Sequence, residues 1–358
     1  MRARWLVVLV TAATLVVIPL MIDRRPVSGS NISAVELAER VQASGDVAWS
    51  GFVESSGTLQ VPDSDSFANL AQLLGEDNDL RVWWRGPDSW RVDRIRGTGE
   101  TDLFRQRGYS VRWVFESETA TISPVSQVRL PDASDLLPPT LARALLQRAR
   151  VEELARLPAR RVAGVDAPGL RLVPDDRAST VAHVDVWVEE HTGLPLKVEL
   201  YGVGDRRPAL STTTLDLELG MPPVSTTQFV AKEGVDVTFD ESVDVAAAAN
   251  AFAPFDLPTS LGGLTTRTGA DPGAVGFYGR GPTSLIVLPL RDQVAWPLRE
   301  RLRNSAAAQE SDAGTSVSVG LVGLLLTPDL GRGGGFLLAG TITPETLERA
   351  ATELLVDK

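Results

Sequence analysis

The sequence predicts an α+β protein whose larger part is antiparallel sheet. Three observations carry this. From residue 80 onward short segments alternate apolar and polar residues with period two. Glycine- and proline-centred turns separate them. Only a few segments show helical spacing. At 358 residues the chain is long for one domain, and two are expected. Hydrophobic residues make up 43% and charged residues 23%, the balance of a chain that folds. The net charge of -11 argues against nucleic acid as a partner, since phosphate binding needs a basic face.

The N-terminus comes first. Arg2 and Arg4 precede an uncharged apolar run over residues 5–22. That length is at the lower edge of a membrane span and longer than the apolar region of a usual signal peptide. Residues 1–30 are therefore expected to be a membrane anchor or, alternatively, a signal segment cleaved near Ser28–Gly29–Ser30. Either way the bulk of the chain is expected outside the cytoplasm.

Ser33 with Glu36 forms a capping box, and Leu37 and Val41 share a face, so a helix is expected over 33–44. VAWSGFVESSGTL (47–59) reads as extended. The polar insertion that follows has one short helix around residues 67–74. In LRVWWRGPDSWRVDRI (80–95), Leu80, Val82 and Trp84 alternate with Arg81, Trp83 and Arg85. After the GPDS turn, Trp90 and Val92 alternate with Arg91 and Asp93. YSVRWVFES follows, with Tyr109, Val111, Trp113 and Phe115 on one face. These strands make a meander with one apolar and one arginine-rich face. LLPPTLARALLQRARVEELARL is expected to be helical over 137–157. Strand patterns resume through residue 219, including a hairpin at HTG. An Ala-, Pro- and acid-rich stretch follows, so a domain over 31–240, a linker over 241–257 and a second domain over 258–358 are expected. In the last helix Thr343 is the expected N-cap, Pro344 the first residue, and Leu347, Ala351, Leu354 and Leu355 the apolar stripe.

Chemistry is sparse. Cysteine is absent, which excludes disulfides, thiolate metal sites and a cysteine nucleophile. The two histidines, His183 and His191, are too few for histidine-rich metal chemistry. GRGGG (331–335) precedes a strand without the lysine of a phosphate loop, and reads as a hairpin turn. Glu189, Glu190 and His191 flank a Thr-Gly turn, where charged groups are ordinarily solvated. Paired acids at Asp63/Asp65, Asp77/Asp79 and Asp175/Asp176 lack EF-hand spacing. No enzyme signature, cofactor site or metal site is expected.

The aromatic band is the one candidate site. Val82, Trp84, Trp90, Val92, Trp113 and Phe115 come from consecutive strands. Two expected helices are few to cover one face, so the band could line an apolar cavity. Packed core is the alternative reading.

The order of these segments, from RVWWRGPDSWRVD through YSVRWVFES, LPDASDLLPPTLARALL and VDVWVEEHTGLPLKVE to LLAGTITPETLERAATELL, resembles the LolA-like and RseB-like proteins of actinobacteria. The resemblance covers roughly residues 33–355. It implies a half-open antiparallel β-barrel covered by helices, with a cavity for acyl chains, and a small α+β C-terminal domain. It also implies an RseB-like partner, the extracytoplasmic part of an anti-sigma factor, in an envelope-stress response. A LolA-like lipid or lipoprotein carrier is the alternative within the fold, and a cell-envelope hydrolase the alternative from another class. The apparent anchor departs from a freely shuttling carrier.

Overall fold

The computed structural model describes residues 27, 29–59, 68–126, 129–240, 257–267, 274–329 and 334–356, with the side chains of 68–70 excepted. The expected membrane segment (5–22), linker residues 241–256, Asp63, Asp65 and glycine-turn residues 331–333 lie outside that set. Among the described residues no helix is long and apolar enough to cross a membrane.

Helix α1 (Ala34–Ala43) begins as its capping residues dictate: the Ser33 hydroxyl accepts from the Glu36 amide at 3.1 Å. Its Ala34, Leu37, Ala38 and Val41 are buried. β1 (Trp49–Gly57), α2 (Ala68–Gly75) and the meander β2 (Asp77–Gly86), β3 (Ser89–Arg96), β4 (Gly99–Gln106), β5 (Tyr109–Val114) and β6 (Thr119–Pro124) follow.

Helix α3 spans only Pro138–Leu145, not the expected 137–157. Arg148 turns the chain with φ +59, and residues from Leu154 onward pair as strand. Helix propensity in VEELARL yields to a free sheet edge that offers backbone partners, a tertiary override of local preference. That segment is β7 (Leu154–Val162), followed by β8 (Val165–Leu172), β9 (Val181–Val188), β10 (Pro195–Gly202), β11 (Leu210–Leu219), α4 (Val224–Thr227) and β12 (Asp236–Phe239).

These twelve strands form one sheet in the spatial order β12-β6-β5-β4-β3-β2-β1-β11-β10-β9-β8-β7. All its pairs are antiparallel except β12 on β6. The sheet does not close: β12 and β7 are its edges. β7 carries Pro158 and a register break between Leu157 and Arg160. The turn between β9 and β10 needs glycine at 193, where φ is +74 and a Cβ would stand 2.4 Å from the Arg40 carbonyl. Arg40 also donates to the Glu190 carbonyl at 2.6 Å, which fixes α1 against this turn.

A hairpin of β13 (Ser260–Leu261) and β14 (Leu264–Thr265) leads into the second sheet. Its elements are β15 (Gly276–Arg280), β16 (Thr283–Arg291), α5 (Asp292–Arg303), β17 (Ala308–Ser311), β18 (Gly314–Val319), β19 (Val322–Leu326), β20 (Gly334–Gly340) and α6 (Pro344–Val356). Six strands run in the order β15-β16-β20-β19-β18-β17. Tyr278, Leu285, Phe336 and Leu338 pack with Leu347, Ala350 and Leu354 of α6 into a core of their own.

The two sheets are in contact. Leu321, in the turn between β18 and β19, is buried in the core of the large sheet. The Thr180 hydroxyl donates to the Leu321 carbonyl at 2.6 Å, and the Thr343 amide donates to the Ala178 carbonyl at 2.8 Å. Glu153 pairs with Arg280 and is itself buried. Burial alone would raise the Glu153 pKa. Hydrogen bonds from Arg280 and from the amides of Arg150 and Asp175 outweigh it and hold the group at about 2.

A depressed carboxylate contributes stability that is present above its unfolded pKa, near 4.5, and lost as pH falls toward about 2. Glu153→Gln is expected to lower the melting temperature at pH 7, and the gap from the parent protein should shrink below about pH 4.5. Thermal melts across that range check this; a gap independent of pH would remove the pair from the stability of the assembly.

Candidate functional site

Neighbouring residues on a strand face opposite sides, so cross-strand partners sort the meander into two faces. Trp49, Trp84, Trp90, Arg105 and Ser110 form one row across β1 to β5. Gly51, Val82, Val92, Leu103 and Arg112 form the next, and Val53, Leu80, Arg94, Thr101 and Val114 the third. This inner face is the one that packs against α1 and α3.

On its β1–β3 half the face is core. Val82, Trp84, Trp90 and Val92 are all buried. The Trp84 and Trp90 rings stack at 5.8 Å with 4° between planes. Their indole N–H groups donate to the carbonyls of Gly45 and Pro87, so neither is left unpaired on burial. The other two aromatic candidates do not belong to this band. Trp113 stands opposite Asp102 and Asp93 on the outer face, packed on Phe229 at 5.9 Å. Phe115 lies beyond the end of β5 and is 63% exposed. The turn at Arg107–Gly108 sets this phase: it puts Gln106 opposite Tyr109, so the face of Arg105 continues through Ser110 and Arg112.

The same register corrects the expectation of one apolar and one arginine-rich face. Arg81, Arg85 and Arg91 lie outside together with Trp83, but Arg94, Arg96, Arg105 and Arg112 lie inside. Alternation made this legible, because Arg94 and Arg96 are in phase with Trp90 and Val92. On the β3–β5 half of the inner face, Arg94, Arg96, Thr101, Leu103 and Arg112 border a cavity of about 160 Å³, together with Leu73 of α2 and residues 131–133. Burial, then Arg96, then Arg112 push the Arg94 pKa down to about 10.

The outer face carries a second charged cluster. Arg91 donates to Asp93 at 2.5 Å and to Asp102 at 2.8 Å, with its guanidinium 5.1 Å from the Trp83 ring centre and 5.0 Å from that of Phe104. One oxygen of each carboxylate is buried without a partner. With Glu100 these acids bring oxygens within 4.8 Å of one another, a donor set for a hard cation. Arg91 already supplies positive charge there. Burial, then the charge of Asp93, raise Asp102 to about 7.

A larger cavity of about 650 Å³ lies between the sheets, bordered by Asp175, Asp176, Thr180, Asp205, Leu321 and Thr343. The Glu189 carboxylate accepts from the His191 and Thr192 amides and closes the hairpin turn. His191 is exposed. His183 stacks on Tyr201 at 4.3 Å.

Two measurements follow from these placements. Trp90→Ala should cost about 3–5 kcal/mol in chemical denaturation, the range for a large aromatic in packed core. A cost under about 1 kcal/mol would mean that the band is not packed. The folded state holds a proton on Asp102 that the unfolded chain releases near 3.8, so this group costs stability as pH rises from about 4 to about 7. Asp102→Asn should therefore gain on the parent protein across that window, as read by melting temperature; a gap that stays flat would leave Asp102 ordinarily ionised.

The sequence matches no known family profile and no curated protein. Solved structures do match. A crystal structure of MucB is 17% identical, with 89% of this chain and 96% of that one covered, at a TM-score of 0.50. A complex of Pseudomonas aeruginosa MucA and MucB gives 18% identity, the same two coverages and a TM-score of 0.49. A LolA superfamily protein from Nitrosomonas europaea covers 55% of this chain and 98% of its own, at 16% identity and a TM-score of 0.23. At such identities the likeness concerns architecture, and the chain shares the fold of MucB.

Proposed function

We propose that this chain is a non-enzymatic, extracytoplasmic binding protein of RseB-like action, which holds the extracytoplasmic segment of an anti-sigma factor and is tied to the membrane through residues 5–22. The likeness to MucB carries the reading: it extends over 89% of the chain, more than either sheet could supply. MucB itself has been crystallised in complex with MucA(peri). We read the large sheet as a half-open barrel around α1 and α3, and residues 31–240 and 258–358 as two folding units joined by 241–257. Separate apolar cores in the two sheets support that division.

A shuttling acyl-chain carrier has less support. Stacked Trp84 and Trp90 occupy the apolar half of the inner face where acyl chains would lie.

The test presents the full-length protein with the extracytoplasmic segments of the membrane anti-sigma factors of its own genome. Saturable binding of one of them, by calorimetry, is expected. A reporter fused after residue 358 should be active outside the cytoplasm. Binding to none of the segments, or a reporter active only in the cytoplasm, would overturn the reading.

A further inference from the structure

Three arginines border the inner-face cavity, and two of them carry buried nitrogens without a hydrogen-bond partner. Arg94 is 6% exposed, yet its Nε and one terminal nitrogen have no hydrogen-bond partner. Arg96 gives one nitrogen to Gln72 at 2.7 Å, while its Nε is buried and unpaired. Arg112 stands exposed at the rim. Among the described residues none of the three makes an ion pair. Asp132 accepts from the Ser134 amide and hydroxyl and pairs with Arg129 at 3.1 Å, and the exposed Glu76 acts on Arg94 through its charge.

Like charges drawn together and stripped of water are costly unless something compensates them. Here the arrangement is held by the sheet itself: Arg94 and Arg96 are two apart on β3, and Arg112 lies opposite Leu103 on β5. About 160 Å³ of space separates them from Leu73 and from residues 131–133, room for about five waters at ~30 Å³ each. Arginine's planar fork suits an oxyanion with two parallel bonds. Leu73 and Leu103 add an apolar wall on the side facing the packed core.

We propose that this cavity is a binding site for a phosphate-type oxyanion, with buried Arg94 and half-buried Arg96 as its donors and Arg112 at its mouth. An oxyanion there would receive the donors that are otherwise unpaired. An apolar substituent on it would lie against Leu73 and Leu103, so a lipid headgroup fits as well as free phosphate. The site stands independently of the anti-sigma reading, since neither its residues nor its test involve that partner.

The experiment titrates the full-length protein by calorimetry with inorganic phosphate, dihexanoyl phosphatidic acid and dihexanoyl phosphatidylcholine, at matched ionic strength. Binding of phosphate, weakened at least about tenfold by Arg94→Gln and untouched by Arg81→Gln on the outer face, is the expected result. Phosphatidic acid binding at least about tenfold tighter than inorganic phosphate identifies a lipid headgroup as the source; equal affinities identify the free anion. Arg112→Gln, at an exposed position, gives the same readout should Arg94→Gln fail to fold. Phosphatidylcholine binding as tightly as phosphatidic acid, anion binding unchanged in both arginine variants, or no binding of either anion would each overturn the proposal.

Discussion

Cross-strand register is the constraint on which the rest of this molecule depends. A strand residue has one of two faces available, and each tight turn decides whether its phase carries into the next strand. The row Trp49, Trp84, Trp90 fixes the inner face of the meander, and every later assignment follows from it. Shifted by one residue, β3 would turn Arg91 and Asp93 inward and expel Trp90 and Val92. The turn at Arg107–Gly108 acts in the same way for β5, sending Arg112 in and Trp113 out.

The register divides one face into two solvents. Near α1 and α3 it is dry and filled, with indole rings stacked and their N–H groups paired. Beyond β3 it is charged and has room. Two opposite electrostatic problems result, one on each side of the same strands. Inside, Arg94, Arg96 and Arg112 make no ion pair among the described residues. Outside, Asp93 and Asp102 share a single guanidinium and leave two buried oxygens unpaired. Both are the kind of local inconsistency a sheet retains only when its core is strong enough to hold it.

Much of this was legible in the chain. The capped helix at Ser33, the short helix near residue 70, the meander and the final helix after Thr343 all declare themselves through caps, turns and period. The aromatic band was legible strand by strand but not across strands, because alternation says nothing about the phase between neighbours until the turn is known. Trp113 and Phe115 depart from the expected face for that reason. The long helix expected through Leu157 failed differently: its second half has helical composition, but Leu154 meets a strand partner in Leu172. Arg94 and Arg96 were readable as in phase with Trp90, and only the custom of placing arginines in water hid them.

The open edge at β7 has a consequence for how these molecules behave in a crowd. An unclosed sheet offers a row of free amides and carbonyls to any neighbouring chain, the starting point of fibrillar association. β7 is poorly suited to that use. Pro158 has no amide to give, and the register breaks between Leu157 and Arg160. At the far end, β12 is only four residues long and covers β6. Among the described residues both borders of this twelve-stranded sheet thus carry features that disfavour edge-to-edge pairing with another strand.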